Sequence, residues 1–312
     1  MLDKVKSKVE KFIEKNPNGV IFIVWPTASG KTKLSIDLIR SGINWEVVSA
    51  DSRQIFRYMD IWTDKISKQI RKEIPHYQID ICNPDETYTA ADWKKDALKK
   101  IELIQSKWKI PFVVGWTGLY TDTIYKNYSL PDAKPDFTFR EKLYKLEEEQ
   151  PWILYKKLQQ VDPKEASKLH PNSLRYIVRA LEIYEKTWKP KSEVCYEQPV
   201  PFPILMIIKW ADKEVANPKI NKRIKEMFQE WLVDEVKRLL DMGYDEKYQS
   251  MQSIWYKEII PYLRGQITLK EAEEQLKKNT HRYAKKQRIF FRRYIMDMKA
   301  NPKDNVEYFL VN

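Results

Sequence analysis

Glycine is scarce in this sequence. There are 7 glycines in 312 residues, whereas average usage would give roughly 22. Cysteine is scarcer still, because Cys82 and Cys195 lie far apart without CxxC or nearby histidine spacing, which excludes a disulfide framework and a zinc site. No run of about 18 consecutive apolar residues occurs, so we expect no transmembrane helix.

The remaining composition indicates a globular protein. Charged residues make up 32% of the chain and hydrophobic residues 43%, a balance that argues against disorder and predicts one or two domains. Residues 1–19 mix both charges and predict an amphipathic helix that lacks the apolar region of a signal peptide. We therefore expect a cytoplasmic protein with no membrane partner.

Positive charge is concentrated near the C-terminus. The net charge is +12, and residues 277–293 contain Lys and Arg but no acidic residue. Five of these basic residues follow helical spacing: Arg282, Lys285, Lys286, Arg292 and Arg293. Such a helix presents a cationic stripe able to follow phosphates, with Arg282 and Lys286 as candidate RNA contacts. A solvated helix face is the alternative.

Short apolar segments alternate with helical ones in the first part of the chain. Strands are predicted at residues 19–24, 45–52, 76–81, 109–115 and 203–209. Thr89 is the predicted N-cap of a helix that precedes the fourth of them. This alternation predicts an α/β fold with a parallel sheet flanked by helices, and such sheets bind ligands at the carboxyl ends of their strands.

The strand signal stops near residue 130. From there to residue 200 the sequence is helical throughout, interrupted by prolines. We predict an all-helical insertion at 131–200, between a first part of the core at 1–130 and a second part at 201–312 that ends in basic helices.

A phosphate-binding loop is predicted directly after the first strand, in the sequence VWPTASGKTKLS. In such a loop, backbone N–H groups and a helix N-terminus hold the phosphates, a lysine adds positive charge, and the following hydroxyl ligates Mg²⁺, here Thr32. A tryptophan stands where the pattern has its first glycine. The predicted phosphate-binding residues are Trp25, Pro26, Thr27, Ala28, Ser29, Gly30, Lys31 and Thr32.

Asp51 ends the second predicted strand, on the same sheet edge as the phosphate-binding loop. A carboxylate there can act as a general base on a nucleophile that approaches the bound phosphate. A capping aspartate, or a magnesium ligand of a nucleotide hydrolase, are the alternatives. The hydrolase interpretation is weakened because the apolar segment 109–115 ends in glycine and not in a carboxylate.

Seven motifs carry a resemblance to a known family: PTASGKT, SADSRQIFRYMDI, IPHYQIDICNPDETYTAADW, VGWTGLY, LHPNSLRYIVRALEIY, SIWYKEI and NTHRYAKKQ. In order and spacing they resemble the tRNA dimethylallyltransferases, which isopentenylate adenosine 37 beside the anticodon. The resemblance extends from residue 21 to residue 293. It implies a P-loop NTPase-like core, with the helical insertion, that performs prenyl transfer in place of phosphoryl transfer.

The resemblance also implies roles for individual residues. The loop would hold the diphosphate of dimethylallyl diphosphate with Mg²⁺ on Thr32, and Asp51 would remove a proton from N6 of an adenine flipped out of the RNA stack. Thr117 and Arg223 would complete the catalytic set, Arg223 acting on the leaving diphosphate. A monomer is expected, with the tRNA anticodon stem-loop as its partner. The implied tRNA contacts are Asp51, Ser52, Arg53, Gln54, Thr117, Arg140, Arg175, Tyr176, Ile177, Val178 and Arg179.

Tryptophan replaces glycine at eight positions of the family pattern: Trp25, Trp45, Trp62, Trp108, Trp116, Trp188, Trp231 and Trp255. The simplest hypothesis is that the source organism reads these codons, as UGA, as glycine. Trp93 differs, because its position suits an aromatic residue. A divergent, inactive homologue is the alternative.

Two other functions share part of this pattern. A small-molecule P-loop kinase would share the SGKT motif but needs neither the cationic helix nor the helical insertion. A non-catalytic RNA-binding relic would keep the basic surface and would not depend on Asp51.

Overall fold

The computed structural model describes residues 2–24, 37–38, 40–42, 44–210, 212–229, 231–300 and 302–311. The strands are β1 Val20–Val24, β2 Trp45–Ala50, β3 His76–Tyr77, β4 Ile110–Gly115, β5 Ile204–Lys209 and β6 Val306–Val311. The helices are α1 Leu2–Lys15, α2 Lys68–Glu73, α3 Ala90–Ser106, α4 Gly118–Tyr125, α5 Phe137–Glu149, α6 Ile153–Val161, α7 Pro163–Ala166, α8 Leu174–Thr187, α9 Lys191–Val194, α10 Lys213–Gln229, α11 Leu232–Asp241, α12 Tyr256–Leu263 and α13 Leu269–Ala300.

The six strands form one sheet in the order β3-β2-β4-β1-β5-β6, and every neighbouring pair is parallel. Alternate residues of β1 enter different cores: Phe22 packs on the face covered by α3, and Ile21 on the face covered by α1. A sheet buried on both faces needs apolar side chains at successive positions, which explains the unbroken apolar run of β1. The predicted α/β class is confirmed.

Two strands differ from the sequence prediction. The segment 76–81 is extended only at His76 and Tyr77, because Gln78 and Asp80 have φ angles of 64° and 56° and leave the extended region. Strand β6, which the sequence analysis missed, lies at the sheet edge and pairs with β5 along its whole length.

Helix α3 begins where the sequence predicted. Thr89 Oγ1 accepts a hydrogen bond from the backbone N–H of Asp92, and the Asp92 carboxylate accepts one from the backbone N–H of Thr89. This reciprocal capping box satisfies two N–H groups that the helix itself cannot pair.

The chain divides into two compact units. One comprises residues 1–125 and 200–312, and the other comprises residues 126–199. The second unit consists of helices α5 to α9 and contains no strand, and its core includes Leu143, Leu154, Leu158 and Ile177. The division of the domains at residues 130 and 200 stays a prediction. Within the described ranges, no helix is both long and apolar enough to cross a membrane.

Tryptophan occupies left-handed backbone conformations at five positions. The φ angles are 58° at Trp108, 69° at Trp152, 54° at Trp188, 70° at Trp231 and 97° at Trp255. A bulky side chain in this region is an outlier, since its Cβ approaches the carbonyl oxygen at a cost of about 1–2 kcal/mol. Glycine adopts this backbone conformation freely. At four of the five positions the resemblance already implied glycine. Trp152 is a fifth such position, which the sequence analysis missed.

Four of these five side chains, those of Trp108, Trp152, Trp188 and Trp231, are exposed, whereas Trp255 is buried. Trp108 directly follows the C-cap of α3, the position at which glycine most often ends a helix, and its side chain is 93% exposed. Trp188 is itself the left-handed C-cap of α8 and is also exposed. Trp93 is the contrast, because it is fully buried and its indole N–H donates to Ser49 O at 3.0 Å.

Two further tryptophans at family glycine positions are crowded. The ring centroids of Trp45 and Phe112 lie 3.3 Å apart, below the usual range of about 4.5–7 Å for aromatic pairs. The indole N–H groups of Trp45 and Trp62 are buried without a hydrogen-bond acceptor among the residues that the structure describes. A buried donor without a partner costs about 1–3 kcal/mol.

Candidate active site

Asp51 begins the turn that follows β2, and its side chain is 1% exposed. Oδ1 accepts hydrogen bonds from the backbone N–H groups of Arg53 at 2.8 Å and Gln54 at 3.4 Å. An aspartate bonded in this way to the backbone two residues on stabilises the turn that it begins. The carboxylate is therefore held in one orientation by its own loop.

The carboxyl end of β4 lies against this turn. Ala50 of β2 pairs with Gly115 of β4, and a Cβ on Gly115 would lie 2.2 Å from Ala50 O, so only glycine fits there. Thr117 then reaches across the gap: its backbone N–H donates to Ala50 O, and its Oγ1 accepts from Ser52 N at 2.9 Å. Asp51, Ser52 and Thr117, three of the predicted site residues, thus lie together at the carboxyl ends of β2 and β4.

Three further side chains, Arg53, Tyr120 and Tyr283, interact electrostatically with the Asp51 carboxylate. Burial lowers the pKa of Arg53, and the nearby Tyr283, Asp51 and Tyr120 oppose that change. Burial, reinforced by the charge of Asp51, raises the pKa of both Tyr120 and Tyr283. Both phenols therefore remain protonated donors at neutral pH, next to an aspartate and an arginine.

Sequence reasoning assigned no role to Tyr120 or Tyr283, although each lies in a quoted motif. For Tyr283 the sequence did offer a signal. This residue directly precedes Ala284 on a helix whose buried positions recur every three or four residues. Which inward side chain meets Asp51 depends on contacts across more than 200 residues of chain, and helical spacing alone does not carry that information.

An aromatic layer, formed by Trp62, Trp116, Trp255 and Tyr283, borders the site. Trp62 stacks on Trp255 with ring centroids 4.8 Å apart, and Trp116 contacts Trp62 edge-on at 6.3 Å. Trp116 also meets Tyr283 edge-on at 5.2 Å. The resemblance implies glycine at the positions of all three indoles, and glycine would leave open the volume that these rings fill beside Tyr283.

Gln54 and Arg223 each donate a hydrogen bond to the loop at residues 61–64. Gln54 Nε2 donates to Thr63 O at 3.1 Å, which ties the turn after β2 to the loop that carries Trp62. Arg223, on α10, forms an ion pair with Asp64 at 3.1 Å and donates to Ile61 O at 3.4 Å. The structure therefore places Arg223 against the loop 61–64.

Several predicted residues lie outside the described part of the chain. These are the phosphate-binding residues 25–32, which include Trp25 and the predicted Mg²⁺ ligand Thr32. Among the residues that are described, no group of three or more His, Cys, Asp or Glu side chains could hold a metal ion.

Comparisons with known proteins identify the family of this chain. The sequence pattern of the IPP transferase family matches residues 54–294. The chain belongs to the IPP transferase family. The tRNA dimethylallyltransferase of Caldanaerobacter subterraneus subsp. tengcongensis is 44% identical over 281 residues, which cover 88% of this chain and 89% of that protein. The Thermotoga neapolitana enzyme of the same name is 43% identical and covers 86% of this chain and 88% of its own.

Solved structures of IPP transferases show the same fold. The full-length tRNA isopentenylpyrophosphate transferase of Bacillus halodurans has a TM-score of 0.64 at 37% identity, covering 94% of this chain and 90% of that one. A eukaryotic dimethylallyltransferase acting on tRNA has a TM-score of 0.76 at 30% identity, covering 94% and 73%. The expected family is confirmed, and the chain is a transferase of this family with a P-loop NTPase-like core.

In this IPP transferase, some of the predicted tRNA contacts of the second unit are buried and others are exposed. Ile177 and Val178 are 0% and 1% exposed and lie in the core of that unit, so their side chains are not available to RNA. Tyr176 is 60% exposed, Arg175 is exposed, and Arg179 is half-buried. The side chains of Ile177 and Val178 therefore do not join an RNA-contacting surface, because a helix of 3.6 residues per turn directs neighbouring residues to different sides. The tRNA contacts at Arg175, Tyr176 and Arg179 stay predictions.

The basic helix α13 of this family member presents its cations on one face. Arg282, Lys285 and Lys286 are exposed, whereas Ala284 and Gln287 between and beside them are buried. Arg293 donates to Asp122 of α4 at 2.9 Å. The predicted cationic stripe is therefore a real face of one helix, anchored to the core near its end.

Proposed function

We propose that this chain transfers a dimethylallyl group from dimethylallyl diphosphate to N6 of adenosine 37 in tRNA. Membership of the family supports prenyl transfer to tRNA. The observation that carries the finer assignment is the buried Asp51 carboxylate. Its own turn fixes this carboxylate, and Thr117 lies against that turn at the same edge of the sheet.

The proposed reaction moves one proton and one carbon group. N6 of the adenine attacks C1 of the allylic diphosphate, so a C–N bond forms as the C–O bond breaks and diphosphate leaves. The proton released from N6 passes to the carboxylate of Asp51 as general base. The adenine must leave the RNA stack to reach a site buried at a sheet edge.

Neighbouring side chains position this base. The Oγ1 of Thr117 fixes the backbone of Ser52, and the backbone N–H of Arg53 holds Asp51 Oδ1. Since Tyr120 and Tyr283 stay protonated, their hydroxyls can donate to polar atoms of the substrate without competing for its proton.

The diphosphate is assigned to residues 25–32, with Mg²⁺ on Thr32, on the strength of the sequence pattern. A bound Mg²⁺ would neutralise charge on the leaving diphosphate. Lys31 would add a second positive charge at the same group. Arg223 remains a proposal for that role, and from its ion pair with Asp64 it would act through the loop 61–64.

We further infer that glycine is the functional residue at nine positions: Trp25, Trp45, Trp62, Trp108, Trp116, Trp152, Trp188, Trp231 and Trp255. Left-handed backbone at five of them, and crowding at others, support this. The chain written with tryptophan would then be a mistranslated form of an active enzyme.

Mass spectrometry of the RNA product tests the proposed function. The nine-glycine chain, given Mg²⁺, dimethylallyl diphosphate and an anticodon stem-loop with adenosines at 36, 37 and 38, should add one prenyl mass per RNA. Replacing adenosine 37 alone, or chelating the metal, should abolish the shift. Phosphorylation of a nucleoside with ATP, and no prenyl shift, would favour a kinase and contradict the proposal.

Neutralising the cationic stripe should weaken tRNA binding in a salt-dependent way. For Arg282→Gln combined with Lys286→Gln, each lost phosphate contact should reduce the slope of log affinity against log salt by about 1. Titrations of labelled tRNA at several salt concentrations measure this slope. The matched control removes two exposed lysines of α1, Lys4→Gln with Lys11→Gln. An equal change in both double variants would show that only net charge matters.

A further inference from the structure

Glu182 is a buried carboxylate for which the sequence analysis found no role. It lies on α8 in the second unit, and its side chain is 0% exposed. One oxygen accepts from the backbone N–H of Asp136 at 2.6 Å and from Arg140 Nε at 2.8 Å. The other accepts from Arg140 Nη2 at 2.7 Å and from Arg179 Nη1. Four donors thus converge on one carboxylate.

The charge of this carboxylate is retained. Burial alone would raise the pKa of Glu182, but hydrogen bonds from Arg140, from the backbone of Asp136 and from Arg179 outweigh burial, so the pKa lies below its ordinary value of 4.5. Paired fork-to-fork hydrogen bonds, as between Arg140 and Glu182, fix the plane of the guanidinium as well as its position.

The two arginines bound to Glu182 belong to a larger surface, the arginine patch, formed by Arg140, Arg175, Tyr176 and Arg179. The side chains of Arg140 and Arg179 come from α5 and α8 and remain 28% and 33% exposed. Arg140 also lies over the ring of Phe137, 5.9 Å from its centroid. A guanidinium has five N–H donors, and Glu182 accepts from Nε and Nη2 of Arg140, so three N–H groups of that guanidinium do not bind Glu182.

We infer that Glu182 is a positioning residue for tRNA, holding Arg140 and Arg179 in the arrangement that meets the RNA backbone. This inference rests on the proposed tRNA function. Arginine side chains lose conformational freedom when they bind, and side chains fixed beforehand lose less. Glu182 would thus raise affinity for an RNA of matching shape, although its own charge repels phosphate.

The variant Glu182→Gln tests this assignment in the full nine-glycine chain, which is the parent for every comparison. Affinity for the anticodon stem-loop should fall about tenfold. Affinity for an unrelated single-stranded RNA of equal length should hold or rise, because the patch gains positive charge. At saturating stem-loop, kcat should stay close to the parent value. Glu182→Asp, which keeps the charge and shortens the reach, should fall between parent and Glu182→Gln.

Glu165→Gln is the matched control, since Glu165 is another buried carboxylate of the same unit, paired with Lys168 and Lys191. It should leave the preference for the stem-loop unchanged. If Glu182→Gln loses affinity for both RNAs equally, together with thermal stability, Glu182 is only structural. If the parent chain shows no preference for the stem-loop, the proposed function fails. If the parent shows that preference and Glu182→Gln keeps it, this inference alone fails.

Discussion

Glycine at the nine tryptophan positions is expected to give a chain that is both more stable and active, where the chain with tryptophan is neither. Left-handed tryptophan at five positions costs about 1 kcal/mol or more each. Their sum is comparable with the net stability of a typical domain, about 5–15 kcal/mol. Activity should depend on a different subset, because only some of the indoles lie near Asp51.

Two partial variants separate these effects. An outer variant places glycine at the exposed, left-handed positions Trp108, Trp152, Trp188 and Trp231, and its free energy of unfolding in urea should rise by about 4 kcal/mol without restoring transfer. An inner variant places glycine at Trp25, Trp62, Trp116 and Trp255, which should restore the prenyl mass shift.

Trp93→Gly is the control for both, and it should destabilise the chain, because Trp93 is buried and hydrogen-bonded to Ser49 O. The gene sequence is an independent test. We expect UGA codons at the nine positions and a UGG codon at Trp93. UGG throughout, with no stability gain in the outer variant, would contradict the glycine assignment.

The second large effect is expected at Asp51. Asp51→Ala should lower turnover by at least about 10²-fold, the lower end of what a general base contributes, and tRNA affinity should stay nearly unchanged. Single-turnover prenyl transfer and tRNA binding are measured on the same preparation of the nine-glycine chain.

Asp51→Asn distinguishes proton removal from positioning. The amide oxygen of asparagine can still accept from the N–H groups of Arg53 and Gln54, so the turn should persist. Turnover should nevertheless fall as far as in Asp51→Ala. Recovery of activity in Asp51→Asn would show that Asp51 shapes the turn and removes no proton, and a loss confined to tRNA affinity in either variant would refute the catalytic role.

Local patterns predicted much of the fold and part of the site. Alternating strands and helices gave the parallel sheet, and parallel strands end at one edge, so Asp51 and Thr117 could be expected to meet. Thr89 was recognisable as an N-cap because its partner is three residues away. In each case the deciding information lies within a few residues of sequence.

What sequence reasoning missed depends on distant contacts. Strand β6 completes the sheet only because β5 offers it an edge. From the sequence alone, Glu182 is an ordinary charged residue of a helix. Its burial and pairing depend on α5, which places Arg140 against it. The left-handed conformation of Trp152 was missed for another reason, since the sequence analysis did not match that position to a glycine of the family pattern.

Strand β1 lies at the centre of the sheet, between β4 and β5. Its first neighbour, β4, begins at residue 110 and its second, β5, at residue 204, after the whole of the second unit. As the ribosome extends the chain, the N–H and C=O groups along one edge of β1 therefore stay unpaired until β5 has been made. Nascent chains that stop before β5 would expose that edge to pairing with one another. Synthesis of β5 thus protects the N-terminal part of the sheet from this pairing.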